Sequence, residues 1–178
     1  MKKRKITSLK KFATLLLFLM PCILFAQRNT VATDGFTVTG QIKKNLTINI
    51  DDIKAVKSEH INNVVIKNHS GEAKKILKNI TGVLVKELLK EMELKANNPK
   101  EFSEFYLTFV AADDYKVVYS WNEIFNSPTG NNLFLVTSEN GKSLGQMEDR
   151  LLIITPTDFK TGRRHIKGLQ KIVVSRVD

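Results

Sequence analysis

The amino-acid sequence predicts an α+β domain of about 150 residues once an N-terminal leader is set aside. Many short segments alternate apolar and polar residues with the period of two that is typical of half-buried strands. They are residues 36–42, 46–50, 105–109 and 117–119. Two or three short segments favour helix instead, and short strands combined with few helices are typical of the α+β class.

Residues 1–26 are predicted to be a signal peptide. Six basic residues precede an apolar segment, and Ala26 offers a small residue for signal peptidase, with cleavage before Gln27. The apolar segment, residues 12–26, is shorter than the roughly 20 residues of a membrane-spanning helix. We therefore expect a bacterial protein that is exported to the periplasm or secreted, without stable membrane insertion after cleavage.

The mature chain is predicted to start with a loose polar arm, residues 27–35, and to continue as one domain over residues 36–178. Without the six basic residues of the leader, 22 basic residues stand against 18 acidic ones. The surface charge is therefore mixed, and no basic stripe interleaved with aromatic residues is present, which excludes the nucleic-acid-binding class.

Cysteine usage excludes several kinds of site. Cys22 is the only cysteine of the chain and leaves with the leader, while Pro21 fits a lipidation motif at Cys22 poorly. The mature chain then has no thiol, which excludes internal disulfides, zinc–thiolate sites, iron–sulfur clusters and a cysteine nucleophile. A chain without thiols suits an oxidising, exported compartment.

In the N-terminal half, a helix cap and two further strands are predicted. Asp51 or Asp52 suits the N-cap of a short helix. The β-branched residues 64–66 predict a strand that ends at a turn, and residues 75–80 predict another strand that is broken at Gly82.

The longest helix is predicted after this point. Its apolar positions follow the spacing i, i+3, i+4, i+7 and are Val85, Leu88, Leu89 and Met92. We expect these side chains to point into the core and the helix to end before Pro99.

The C-terminal half is predicted to hold further strands and one short helix. In order, these are a hairpin over residues 105–119, a helix at 121–125, a strand at 133–136, a tight turn at 140–141, a strand at 151–154 and a strand at 172–174. Asp113 and Asp114 are expected to form the turn of the hairpin, since Asp tolerates a left-handed backbone, rather than a catalytic carboxylate pair. The continuous apolar run 151–154 predicts a central strand that is buried on both faces.

Five segments of this half carry a resemblance to a known family. They are residues 109–117, 121–125, 140–144, 150–156 and 164–174. In this order and spacing they resemble the oxidoreductase molybdopterin-binding domain, which has the sulfite oxidase fold. The resemblance implies a mixed β-sheet, sandwich-like core with short helices at its rim.

The resemblance also implies where a metal would be held. Sulfite oxidases ligate molybdenum through a cysteine thiolate, in a segment that corresponds approximately to residues 64–71. This chain offers Lys67, Asn68, His69 and Ser70 there. An amide or an ammonium group does not replace a soft thiolate ligand. The three histidines also lack the spacing of a metal-binding pair, so no metal site is predicted.

A basic segment before the last strand is the remaining candidate for cofactor binding. By the resemblance, Arg164 and Lys167 correspond to the place where cofactor-binding members contact the pterin and its phosphate. An arginine fork donates two parallel hydrogen bonds to a phosphate, and a lysine acts as a point charge. The alternative is a solvated basic turn that supports the fold.

Three functions compete on this basis, and no catalytic residue is assigned. The resemblance implies an exported molybdopterin-binding-domain protein with a redox role. The absence of the thiolate favours a cofactor-free binding or accessory module on the same fold, with a small molecule or a periplasmic protein as its partner. A structural protein of the cell envelope is the third alternative.

Overall fold

The computed structural model describes residues 34–177 of the protein. The predicted leader and residues 27–33 of the predicted arm lie outside these residues. β1 begins at Gly35, one residue before the first predicted strand position. The fold is α+β, as predicted, with short strands and very short helices.

The elements follow one another in this order. The first half holds β1 (Gly35–Gly40), β2 (Leu46–Asn49), α1 (Ile50–Ala55), β3 (Glu59–Ile61), β4 (Val64–Lys67), β5 (Ala73–Leu77), β6 (Ile80–Leu84) and α2 (Val85–Leu88). The second half holds β7 (Phe105–Ala111), β8 (Lys116–Ser120), α3 (Trp121–Phe125), β9 (Phe134–Glu139), β10 (Lys142–Ser143), β11 (Ile153–Ile154) and β12 (Leu169–Arg176). Short 3-10 turns lie at Pro99–Glu104, Pro128–Asn132, Leu144–Gln146 and Thr161–Arg164.

The strands form two five-stranded sheets and one separate hairpin. The first sheet has the order β2-β1-β12-β7-β8, and the second has the order β10-β9-β6-β3 with β11 also paired to β9. β4 and β5 pair only with each other. Within the first sheet β1 and β12 are parallel and all other pairs are antiparallel, so the sheet is mixed.

Two apolar cores hold these layers together. In the main core, Leu107 and Ile172 of the first sheet are buried with Val83 and Leu135 of the second sheet. In the smaller core, the hairpin β4–β5 covers the other face of the second sheet. Both faces of the second sheet are therefore buried, and the architecture is a sandwich with an added hairpin layer.

The predicted long helix is one turn, Val85–Leu88. Beyond it, the backbone N–H of Lys43 donates to the Glu93 carbonyl, and Ile42 and Leu94 form a β-bridge. Pairing with the segment after β1 thus draws the chain out of the helical conformation. The burial prediction holds for Val85, Leu88 and Leu89, which are buried, whereas Met92 is partly buried.

The predicted N-cap of α1, Asp51 or Asp52, is wrong by two or three residues. Asn49 is the cap, and its Oδ1 accepts from the backbone N–H groups of Asp51 and Asp52 at 2.9 and 3.1 Å. Asp52 in turn accepts from the Asn49 N–H at 2.9 Å, which completes a capping box. Asn49 is the cap because its side chain accepts from two otherwise free N–H groups at once.

Residues 75–80 form two strands rather than one. The chain turns at Asn79, whose φ is +48°, and Gly82 lies inside β6 at a bulge. A Cβ at Gly82 would lie 2.9 Å from the Leu135 carbonyl oxygen, so glycine permits close strand approach there instead of breaking the strand.

The turn of the predicted hairpin 105–119 is confirmed, whereas the predicted central position of the strand 151–154 is wrong. The turn between β7 and β8 is confirmed, since Asp114 has a φ of +65° and Asp113 Oδ1 accepts from the Tyr115 N–H at 3.0 Å. Ile153 belongs to the main core and Ile154 to the smaller one, which confirms burial on both faces. However, β11 pairs with β9 on the same edge as β10, so it is not a central strand.

Candidate functional site

The basic segment begins in a turn that closes the free edge of β4. The Thr161 hydroxyl donates to the Val65 carbonyl at 2.6 Å and accepts from the Lys67 N–H at 2.9 Å. Thr161 thus takes the hydrogen bonds that a neighbouring strand would take. The next residue, Gly162, permits this approach, since a Cβ there would lie 2.5 Å from the Lys67 carbonyl oxygen.

Arg164 ends this turn and binds two carboxylates. Its Nε donates to Asp158 Oδ2 at 2.7 Å, and its Nη2 donates to Asp158 Oδ1, so the pair is bidentate. Its Nη1 donates to Glu123 Oε1 at 2.9 Å. The side chain of Arg164 is 22% exposed. The guanidinium fork is therefore occupied by two carboxylates of the same chain.

A buried phenol lies beneath the guanidinium group. The Arg164 Cζ is 4.6 Å from the centroid of the Tyr119 ring, within cation–π range. The Tyr119 hydroxyl is hydrogen-bonded to Thr155 Oγ1 at 2.8 Å. Burial raises the pKa of Tyr119 to about 12, so this phenol is neutral at physiological pH. The hydrogen bonds to Asp158 raise the pKa of Arg164, which keeps it charged.

Glu123 connects this cluster to the start of α3. Its Oε2 accepts from the Ser120 N–H at 2.8 Å, while the Ser120 hydroxyl accepts from the Glu123 N–H at 3.1 Å. This reciprocal pair is the capping box of α3. One carboxylate therefore caps a helix with one oxygen and holds Arg164 with the other.

Lys167 has a different acidic partner from Arg164. Its Nζ lies 2.7 Å from Asp149 Oδ2. The two residues predicted to contact a cofactor thus face separate carboxylates in this structure. Arg163, which precedes Arg164 within the same turn, is exposed, and its carbonyl accepts from the Tyr115 hydroxyl at 2.6 Å.

His165 is a feature that the sequence prediction missed. Its Nε2 is buried, and it has no hydrogen-bond partner among residues 34–177. Burial, together with the nearby charge of Lys167, lowers the pKa of His165 to about 4. No spacing rule points to this residue, because its burial arises only in the folded chain.

A groove of 500 Å³ lies beside the turn. Its lining is mainly polar and includes His60, Asn62, Asn63, Lys67, Asn132, Asp158 and Thr161. It therefore contains part of the segment 64–71, where the family resemblance places the metal-binding thiolate. The apolar side chain of Phe134 contributes one wall.

The described part of the chain holds neither a metal-binding cluster nor a helix suited to a membrane. Within residues 34–177, no three His, Asp or Glu side chains are grouped closely enough to hold a metal ion. Over the same residues, no helix has both the length and the apolar character needed to cross a membrane.

Comparisons with known proteins support the fold. No protein-family model matches the chain, and no curated protein matches it. Among solved structures, the chain is similar to the sulfane dehydrogenase SoxCD from Paracoccus pantotrophus, with a TM-score of 0.56 and 14% sequence identity. The similarity covers 79% of this chain and 37% of that chain. At this identity the likeness shows the fold alone, and it agrees with the predicted α+β, sulfite oxidase-like architecture.

Proposed function

We propose that the chain is an exported binding or accessory module that uses the sulfite oxidase-like fold without a molybdenum cofactor. The observation that carries this proposal is that the guanidinium group of Arg164 is hydrogen-bonded to the carboxylates of Asp158 and Glu123. The residue best suited to hold a cofactor phosphate is thus engaged in joining two parts of the fold.

The residues present do not fit a molybdenum ligand set. The sole cysteine of the sequence, Cys22, belongs to the predicted leader. In the segment that corresponds to the ligand position, the backbone N–H of Lys67 is hydrogen-bonded to Thr161, and Lys67 is one of the residues that line the groove. Amide, ammonium and hydroxyl groups are poor substitutes for a thiolate on this metal.

A phosphate group also fits the surroundings of Arg164 poorly. The cluster combines one guanidinium with the carboxylates of Asp158 and Glu123, so its formal charge is −1. A phosphate would have to displace a bidentate carboxylate from the same planar fork and would then lie beside two anions. Lys167 is likewise paired, with Asp149.

The groove beside the turn supports a binding function. Its volume of 500 Å³ is within the range of small-molecule sites, which is roughly 300–1,000 Å³. The neighbouring amides of Asn62 and Asn63 offer both donors and acceptors at its rim. We therefore propose a small polar ligand or an exported protein as the partner.

The competing proposal is a molybdopterin-binding protein with a redox role. It is favoured by the structural likeness to a sulfane dehydrogenase. In this proposal Arg164 and Lys167 contact the pterin and its phosphate after their carboxylate partners have moved away.

Metal analysis of the purified, exported protein distinguishes the two proposals. We expect less than stoichiometric molybdenum, no pterin fluorescence after oxidative release, and no oxidation of sulfite. Two charge-assisted contacts contribute only about 1.5–3 kcal/mol each, which is too little for tight retention without a metal–protein bond.

The opposite result would establish the competing proposal. It consists of one molybdenum per chain that is lost when Arg164→Ala and Lys167→Ala are combined. Arg163→Ala is the matched control, because it removes a neighbouring exposed arginine from the same turn.

A further inference from the structure

A second groove lies apart from the basic segment, between α2 and α3. Its volume is 490 Å³, and none of its lining residues lines the first groove. Its walls come from α2, from the chain that follows it up to the 3-10 turn Pro99–Glu104, and from α3. The family resemblance assigns no role to these segments.

The incompletely buried apolar side chains of the main core collect in this groove. Eight such residues pack against the core, and five of them line the groove. The five are Met92, Ala96, Phe102, Trp121 and Phe125. Scattered exposed apolar residues need no explanation, but a contiguous set in a concave site is typical of a binding surface.

Three of these side chains form a continuous aromatic wall. The ring centroids of Phe102 and Trp121 are 5.0 Å apart, and those of Trp121 and Phe125 are 5.3 Å apart with nearly stacked planes. The wall is held by two helix caps, since the Asn98 side chain accepts from the Lys100 N–H and Ser120 caps α3. A wall that is fixed in advance lowers the ordering cost of binding.

The charges around the groove leave an excess of one positive charge. Lys43 and Glu93 neutralise each other through an ion pair of 2.7 Å. Lys86, Lys90 and Glu87 are the other charged residues of the lining. Lys86 donates to the neutral Asn131 side chain, and Lys90 makes no ion pair within residues 34–177.

We infer that this groove binds a small aromatic carboxylate that carries a single negative charge. The ring of the ligand stacks on the wall at Trp121 and Phe125, and its carboxylate is held by Lys90 and Lys86. A monoanion matches the excess charge, whereas a cation is repelled by both lysines and a dianion leaves one charge uncompensated.

This inference goes beyond the proposed function and is independent of it. The groove shares no lining residue with the segment that a pterin would contact. Binding of an aromatic acid is therefore expected whether or not the purified protein contains molybdenum.

Trp121 makes the site directly observable, because it is the only tryptophan of the chain. The experiment titrates the full mature protein with phenylbutyrate while tryptophan emission is recorded. Phenylbutyramide, which has the same shape without the charge, is titrated in parallel. We expect a saturable one-to-one change with phenylbutyrate and an affinity at least about tenfold weaker for the amide, since its contacts with Lys90 and Lys86 lose the negative charge of the carboxylate.

Two variants test the assignment of the residues. Lys90→Met is expected to weaken phenylbutyrate about tenfold and to leave phenylbutyramide unchanged. Lys57→Met is the matched control, because Lys57 is exposed and lies outside the groove. Ala96→Phe is expected to fill the groove and abolish binding, with folding checked by circular dichroism.

Three results would overturn the inference. The first is no saturable change of Trp121 emission, and the second is equal affinity for acid and amide. The third is an emission change that depends on protein concentration alone, which would assign the groove to a second copy of the chain. If Ala96→Phe fails to fold, the comparison of Lys90→Met with Lys57→Met still decides the outcome.

Discussion

Arg164 joins three parts of the chain through one side chain. Its partners Asp158 and Glu123 come from the loop after β11 and from the first turn of α3, and it also covers the ring of Tyr119. Arginine suits this position because its planar fork meets one carboxylate in a bidentate manner and has a further donor for the second. A lysine has no such fixed geometry.

Removal of this guanidinium is expected to destabilise the fold. Arg164→Ala leaves Asp158 and Glu123 as unpaired neighbouring carboxylates, and we expect the free energy of unfolding to fall by about 1–3 kcal/mol, allowing for partial solvent exposure. Urea unfolding at neutral pH measures this change, with Arg163→Ala as the control. Adding Asp158→Asn and Glu123→Gln should restore part of the loss; equal stability of the two arginine variants would contradict the expectation.

His165 is expected to make stability depend on pH. Its pKa is about 4 in the folded protein, mainly through burial, against an ordinary value of 6.5. The unfolded chain therefore takes up a proton below about pH 6.5 while the folded chain does not. The free energy of unfolding should fall as the pH is lowered from about 6.5 to about 4, by at most about 3 kcal/mol from this residue.

Unfolding in urea across this pH range tests the role of His165. The decline should be smaller in His165→Gln than in the unchanged protein. His60→Gln is the control, since His60 is exposed. Identical pH profiles for the two variants would show that His165 is not responsible.

At the scale of single elements, the sequence predicted the strands better than the helix ends. Period-two alternation located β1, β2, β7 and β8 because each has one face on the core, as the buried Phe36 and Leu107 show. The position of a helix cap depends on which side chain reaches the free N–H groups. Asn49 reaches those of Asp51 and Asp52, so it is the cap instead of Asp51. The apolar spacing after Val85 predicted burial correctly but predicted too long a helix. Beyond Leu88 the backbone pairs with the segment after β1 through the β-bridge between Ile42 and Leu94.

The turn at Thr161 is an element that no periodic pattern marks. Thr161→Val keeps the shape of the side chain but leaves the Val65 carbonyl and the Lys67 N–H unpaired. We expect the free energy of unfolding to fall by about 1–3 kcal/mol and the Lys67 amide to exchange faster with solvent. Hydrogen exchange measures the second effect, with the exposed Thr157→Val as the control. Unchanged protection of Lys67 would count against the edge-closing role.

At the scale of the whole molecule, the fold class was predictable and the site was not. Glu123 and Arg164 are 41 residues apart, and only the assembled layers bring them together. The pattern Ser120-x-x-Glu123 predicts a capping box, but nothing in the local sequence indicates that the second carboxylate oxygen of Glu123 binds Arg164. Local sequence patterns do not predict contacts between residues that are far apart in the chain.

Export can be tested by the mass of the protein recovered outside the cytoplasm. We expect this mass to correspond to a chain that begins at Gln27, because Ala26 provides the small residue at the cleavage position. Ala26→Asp should leave the leader attached. A mass that includes the leader in the unchanged protein, or a lipid on Cys22, would contradict the proposed processing.

The position of β12 has a consequence for the order of folding. β12 lies between β1 and β7 in the first sheet, so the last strand of the described chain supplies the middle of the sheet and the partner of the first strand. Contacts between distant segments close large loops and slow folding. Until Leu169–Arg176 has been synthesised, β1 and β7 have no common neighbour, and the main core stays open. We therefore expect the first sheet to stay incomplete and the main core to stay unpacked until β12 has been synthesised, and an unpacked chain is the form that passes through a narrow translocation channel.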